Sequence, residues 1–201
     1  MLNLTHALGL LIHPKQEWQK ISQENNDISG LLIGYVLILA LIGPAAGYYG
    51  TTTSGWQIGS REAVKLTPES AMTISILYYL AVVSAVIGLG LMVSWMCKTY
   101  GGNTSINRCF ALSAYVATPI FLVGIVELFP ILWINLIIGL VALAHSVYLL
   151  YSGVPVMMNI SKDKGFLMSS SMLAMGMVAL VTLLALTALM WGFGFQPSFT
   201  N

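Results

Sequence analysis

His145 is the one ionisable residue well inside a long apolar stretch of this sequence, and Glu127 stands at the end of another. Ionisable groups in such surroundings are costly, so they are the first places to look for a ligand contact, a proton relay or a gate. Tyr115 lies fourteen residues before Phe129 and His145 sixteen after it. A hairpin turning at Leu128-Phe129-Pro130 therefore sets the two at similar depth. Pro119 has no N–H to give the carbonyl of Tyr115, which frees an acceptor and allows a kink. The spacing predicts that His145, directly or through one water, satisfies the polar spot made by Tyr115 and the kink. A histidine that merely satisfies packing is the alternative reading, and a ligand or proton-relay role is a third. Asn135 is a candidate for a hydrogen bond between helices, structural or functional.

Other chemistry finds few residues to carry it. No chain of acids and bases crosses the apolar stretches, which argues against a proton-coupled pump. The sequence has no HExxH, no GxSxG and no GxxxxGK[ST], so the metalloprotease, hydrolase and phosphate-cradling templates are missing. Neither an enzyme nor a cofactor is expected. The histidines His6, His13 and His145 are too scattered for a metal cluster, and Cys97 and Cys109 lack metal-ligand spacing. Met168, Met172 and Met175 share one helical face. Thioethers there are able to bind soft metals, but adaptable packing is the simpler use.

The elements that position these residues follow from composition. Of 201 residues, 57% are hydrophobic and only 7% charged, against about 25% charged in a soluble domain. So few charges leave a surface suited to lipid rather than water. The net charge of +1 argues against nucleic acid as a partner, which needs a basic stripe. A span needs about 20 mostly apolar residues. Five stretches qualify, at about 30–49, 70–96, 106–126, 131–151 and 168–193. Thr67-Pro68-Glu69 opens the second with a hydroxyl cap, a proline in the first turn and an acid at the positive helix end. None of the stretches alternates as a barrel strand does, so the fold class is all-α, a polytopic five-helix bundle. No internal repeat suggests an inverted-repeat transporter.

Residues 1–29 precede the bundle and 195–201 form a short external tail. Residues 1–12 are apolar, but no positive stretch precedes them and His13-Pro14 is not a small-residue cleavage site, so a cleaved signal peptide is not expected. Leu4, Leu8, Leu11 and Ile12 recur at helical spacing, as do Trp18 and Ile21. The spacing predicts amphipathic helices on the inner leaflet, with Trp18 and Ile21 as interfacial anchors or as a docking site for a partner. For five spans, Lys15, Lys20, Lys98, Arg108, Lys162 and Lys164 fall on one side and Arg61 and Lys65 on the other. That split puts the N-terminus in the cytoplasm and the C-terminus outside. Both cysteines then flank a cytoplasmic loop, where a stable disulfide is not expected. Gly43-Pro44-Ala45-Ala46-Gly47 is a small-residue face for close helix contact, within the bundle or between copies in a homo-oligomer.

Several motifs in order resemble those of a known family. His13-Pro14, Glu17-Trp18, Ile21 and Glu24-Asn25 come first. Tyr115-Val116-Ala117-Thr118-Pro119 and Gly153-Val154-Pro155 follow, and then Asn159-Ile160 with Lys162 to Gly165. Over nearly its whole length the chain resembles the Yip-domain family of multi-span membrane proteins, and within it the YohC-like bacterial inner-membrane branch. The resemblance implies a five-span bundle with a cytosolic N-terminus in a bacterial inner membrane. Eukaryotic members interact with Rab-type small GTPases in vesicle traffic. This N-terminal segment is far shorter than theirs and bacteria have no Rab cycle, so that partner is not carried over.

The expected function is to organise lipids or partner proteins at the cytoplasmic leaflet. The working surface would be the N-terminal helices with Lys98, Arg108, Lys162 and Lys164, which suit anionic headgroups. Ordinary positive-inside bias explains the same charges. The rival class is a channel or transporter for a small solute, with the Tyr115–Pro119 kink and His145 as pore or gate.

Overall fold

The computed structural model describes residues 4–24, 27–57, 63–194 and 196–200. Two short helices, α1 (Leu4–Ile12) and α2 (Pro14–Gln23), lead into five long ones. These are α3 (Ile28–Ser54), α4 (Pro68–Thr99), α5 (Ile106–Leu128), α6 (Leu132–Met158) and α7 (Lys162–Gly192), each long and apolar enough to cross a membrane. The helix starts follow local chemistry. Asp27 accepts from the Gly30 N–H at 3.0 Å, Thr67 from Ser70 at 3.3 Å and Ser161 from Lys164 at 3.4 Å, which satisfies N–H groups that a helix start leaves orphaned.

The spans are longer than their apolar runs. Helix α6 does not stop at Tyr151. It carries Gly153-Val154-Pro155 within it and ends at Met158, with Asn159 in the left-handed conformation, φ 52°. Prolines shape the other helices. The chain breaks its α-helical pattern near Leu41, ahead of Pro44, and again at Ala117, two residues before Pro119, because a proline leaves a carbonyl of the preceding turn without its donor. Helix α3 also contains wide turns at Leu32–Val36 and Gly50–Ser54.

Helix α5 is the centre of the bundle. It packs on α3, α4 and α6, and 67% of its apolar stretch is buried against 6% for α7. Cys109 through Val116 is buried without interruption. Met168 and Met172 of α7 enter this core while Met175 is 40% exposed, so the three methionines form no continuous buried path. The cysteines Cys97 and Cys109 are both free.

Helices α1 and α2 are not a layer apart from the bundle. Helix α2 lies along α6, and Trp18 and Ile21 are fully buried. This corrects their reading as interfacial anchors. An amphipathic pattern demands cover for its apolar face, and for α2 protein supplies it instead of lipid. Leu8 and Ile12 of α1 stay exposed. The tail is also tied down: Phe199–Thr200 (β2) pairs antiparallel with Lys65–Leu66 (β1). Arg61 and Asn25 lie outside the described residues.

Candidate functional site

One ring gathers four helices. Tyr115 on α5 is fully buried. It meets Tyr35 of α3 edge-to-face at 5.0 Å, His6 of α1 at 5.8 Å and Trp18 of α2 at 6.5 Å between ring centres. The Tyr35 hydroxyl is hydrogen-bonded to Thr118 at 2.7 Å, beside Pro119 in the kink. Such edge-to-face contacts add to the apolar burial of each ring.

His145 does not complete this group. Its Nε2 donates instead to the carbonyl of Leu10 at 3.3 Å, and its ring tilts over Tyr148. The physical reason is a different proline. In a continuous helix the Leu10 carbonyl would accept from the residue four positions on, which is Pro14 and has no N–H. His145 is thus the donor for a proline-orphaned carbonyl, as the sequence suggests in kind, but the proline is Pro14 and the carbonyl belongs to α1. That pairing is invisible until α1 is known to lie against α6.

The α1–α2 crossing holds a charged cluster that the sequence reading did not single out. Glu17 is buried, with Oε1 2.6 Å from His6 Nδ1 and Oε2 accepting from Lys20 at 3.0 Å. His6 Nε2 also lies 3.0 Å from Glu24. Burial alone would raise the Glu17 carboxyl, but the hydrogen bonds and charges of His6 and Lys20 outweigh it and hold it below its ordinary value. Gly9 makes the crossing possible, since a Cβ there would meet the Glu17 carboxyl at 2.5 Å. Trp18 is fixed on its other side. Its indole N–H donates to Ser152 at 3.2 Å, and a Cβ on Gly153 would press 2.7 Å from the ring.

The end of the bundle nearest this hairpin carries the basic residues. Lys98, Lys162 and Lys164 are exposed and Arg108 is half-buried. The two loops that hold them interlock: Thr104 donates to the Met157 carbonyl at 3.3 Å, and the Lys164 ammonium lies 3.3 Å from where a Cβ on Gly101 would be. A polar recess of about 440 Å³ opens here, lined by Gln23, Glu24, Asn103, Ser105, Asn107 and Arg108 among others. It joins the end of α2 to the start of α5.

A second polar group occupies the opposite end. The Tyr78 hydroxyl of α4 donates to Glu127 at 2.9 Å. The other carboxylate oxygen covers Gly47, where a Cβ would lie at 2.7 Å. Gly43 meets Gly124 as closely, its Cα 2.7 Å from a Cβ placed there. Gly43 and Gly47 thus serve contact between α3 and α5 within the chain. Asn135 borders the same group, and both its side-chain polar atoms are buried with no partner among the described residues. Cavities of about 140 and 780 Å³ share Tyr78, Glu127 and Asn135 as lining. Tyr78 escaped the sequence reading because its value depends on α4 lying beside the end of α5. His145 and Tyr115 line none of these three cavities.

No solved structure matches this chain. Among curated proteins, it is 38% identical over 193 residues to inner membrane protein YohC of Escherichia coli strain K12, covering 96% of this chain and 99% of that one. The same protein name, identity and coverage hold for Escherichia coli O6:H1. Residues 8–184 match the Yip1 domain, a stretch that begins in α1 and ends in α7 and so takes in the docked hairpin with all five spans. With that coverage the chain is an integral inner-membrane protein that belongs to the Yip1 domain family.

Proposed function

We propose that the chain is a non-enzymatic organiser of anionic lipid at the cytoplasmic leaflet. The observation that carries this is the interlocked pair of loops around the Arg108 recess, which sets Lys98, Arg108, Lys162 and Lys164 on one end of the bundle. A recess with an arginine on its wall and amide and hydroxyl groups around it has the donors a phosphate headgroup needs. Leu8 and Ile12 of α1 are exposed, and acyl chains would cover them. The six-to-two count of basic residues supports placing this end in the cytoplasm.

The transport reading relies on the Tyr115–Pro119 kink and His145. Their contacts favour a packing role: the Tyr115 ring is enclosed by aromatic rings and His145 is engaged with Leu10. The test is native mass spectrometry of the protein released from nanodiscs that contain phosphatidylglycerol. The wild type retains anionic lipid, and the variant with Lys98, Arg108, Lys162 and Lys164 all changed to Gln loses it. Equal retention by both would reduce these charges to topology signals.

A further inference from the structure

The large cavity at the end opposite the basic loops lies beside the far end of α7. From Ala174 to Gly194 its residues are exposed on every face, yet its end is strapped back. Thr67 donates to the Ser198 carbonyl at 3.1 Å, Ser198 donates to the Ser70 hydroxyl at 3.1 Å, and β2 pairs with β1. A helix held at its tip and standing off along its length leaves a crevice beside α3, α4 and α5. Its volume of about 780 Å³ is that of a small-molecule site.

The lining has two kinds of chemistry. Trp56, Ile74, Trp191 and Phe199 give apolar walls. The floor is Tyr78, Glu127 and Asn135. Tyr78 holds one oxygen of the Glu127 carboxylate, and no Lys, Arg or His among the described residues pairs with either. The Asn135 amide, with its oxygen and nitrogen both buried, has neither donor nor acceptor for a partner among the described residues. Buried groups of this kind are ordinarily satisfied. Among the described residues these groups lack a counterpart, and one that donates hydrogen bonds, carries positive charge and is attached to an apolar body would suit them.

We infer that this crevice binds a primary ammonium group on an aliphatic chain, the ammonium meeting Glu127 and Asn135 and the chain lying between Trp56, Ile74 and Trp191. The crevice lies at a different end of the molecule from the anionic-lipid surface, and its occupancy is independent of that surface. A long-chain amine and the headgroup of phosphatidylethanolamine both present this chemistry.

The test uses the full chain in phosphatidylcholine nanodiscs with a diazirine-bearing dodecylamine, beside the dodecanol of the same design. After photolysis, peptide mass spectrometry reads labelling of the segments holding Trp191, Phe199 and Trp56. The amine labels them about tenfold more than the alcohol, as a charge-assisted hydrogen bond implies. The Glu127→Gln variant brings the two probes level, and Asn135→Leu weakens amine labelling independently. Adding phosphatidylethanolamine distinguishes the sources: competition assigns the crevice to that headgroup, and undiminished labelling assigns it to a free amine. Equal labelling by amine and alcohol in the wild type, or an amine preference unchanged in Glu127→Gln, overturns the inference.

Discussion

Removing the Trp18 side chain should undock the N-terminal hairpin while leaving the five spans in place. The indole is fully buried, donates to Ser152, sits on Gly153 and meets Tyr115 edge-to-face. Truncating a buried Trp to Ala costs about 3–5 kcal/mol. Trp18→Phe keeps most of the apolar contact and loses chiefly the hydrogen bond, about 1 kcal/mol. If the hairpin opens as a unit, these costs fall on its local opening equilibrium. Amide hydrogen exchange in nanodiscs then reads them directly. Exchange across α1 and α2 accelerates by roughly a hundredfold to several thousandfold in Trp18→Ala and by about fivefold in Trp18→Phe, with α4 and α5 unchanged. A hairpin that merely rests on lipid behaves otherwise. Its amides exchange fast in the wild type already, or fail to respond to either substitution, and that result would refute the docked arrangement.

Other substitutions test the remaining contacts. His145→Ala leaves the Leu10 carbonyl without its donor, and a loss of about 1 kcal/mol should appear as faster exchange in α1, with Tyr115 and Thr118 unmoved by NMR. The acid response of the hairpin has a definite sign. Glu17 is depressed in the folded chain, so its stabilising contribution is present above its unfolded value of 4.5 and is lost as the pH falls through the lower folded value. Hairpin exchange should therefore rise below pH 4.5, and Glu17→Gln should flatten that dependence. Gly47→Val drives methyl groups into the Glu127 carboxylate and should cost about 1–3 kcal/mol in denaturant unfolding. Gly139→Ala, with open space around its Cβ position, should be neutral or stabilising by up to about 1 kcal/mol.

Much of the architecture is legible in the chain itself, since apolar runs too long for anything but a membrane helix leave little choice of fold. Thr67-Pro68-Glu69 starts α4 where its capping chemistry says it should. Sequence periodicity falls short where it has to name what covers a face. The pattern of Trp18 and Ile21 reads the same whether lipid or α6 lies opposite, and only the packing decides for α6. Gly153 is the hidden clue, because a residue without a side chain in α6 is what admits the indole. His145 shows the same limit. Chemistry suggests that a histidine in an apolar helix serves an orphaned carbonyl, yet Pro119 and Pro14 both create one, and tertiary contact selects Pro14. Glu127 could be flagged by type alone, whereas Tyr78 and Asn135 acquire their meaning from α4, α5 and α6 meeting at one end.

The basic end as a lipid-holding surface is tested most directly by hydrogen exchange with and without anionic lipid. Nanodiscs of phosphatidylcholine alone are compared with nanodiscs containing phosphatidylglycerol. Slower exchange confined to the segments 97–108 and 157–165 on adding phosphatidylglycerol, and abolished when Lys98, Arg108, Lys162 and Lys164 are neutralised, is the predicted result. Identical exchange in both membranes would contradict it.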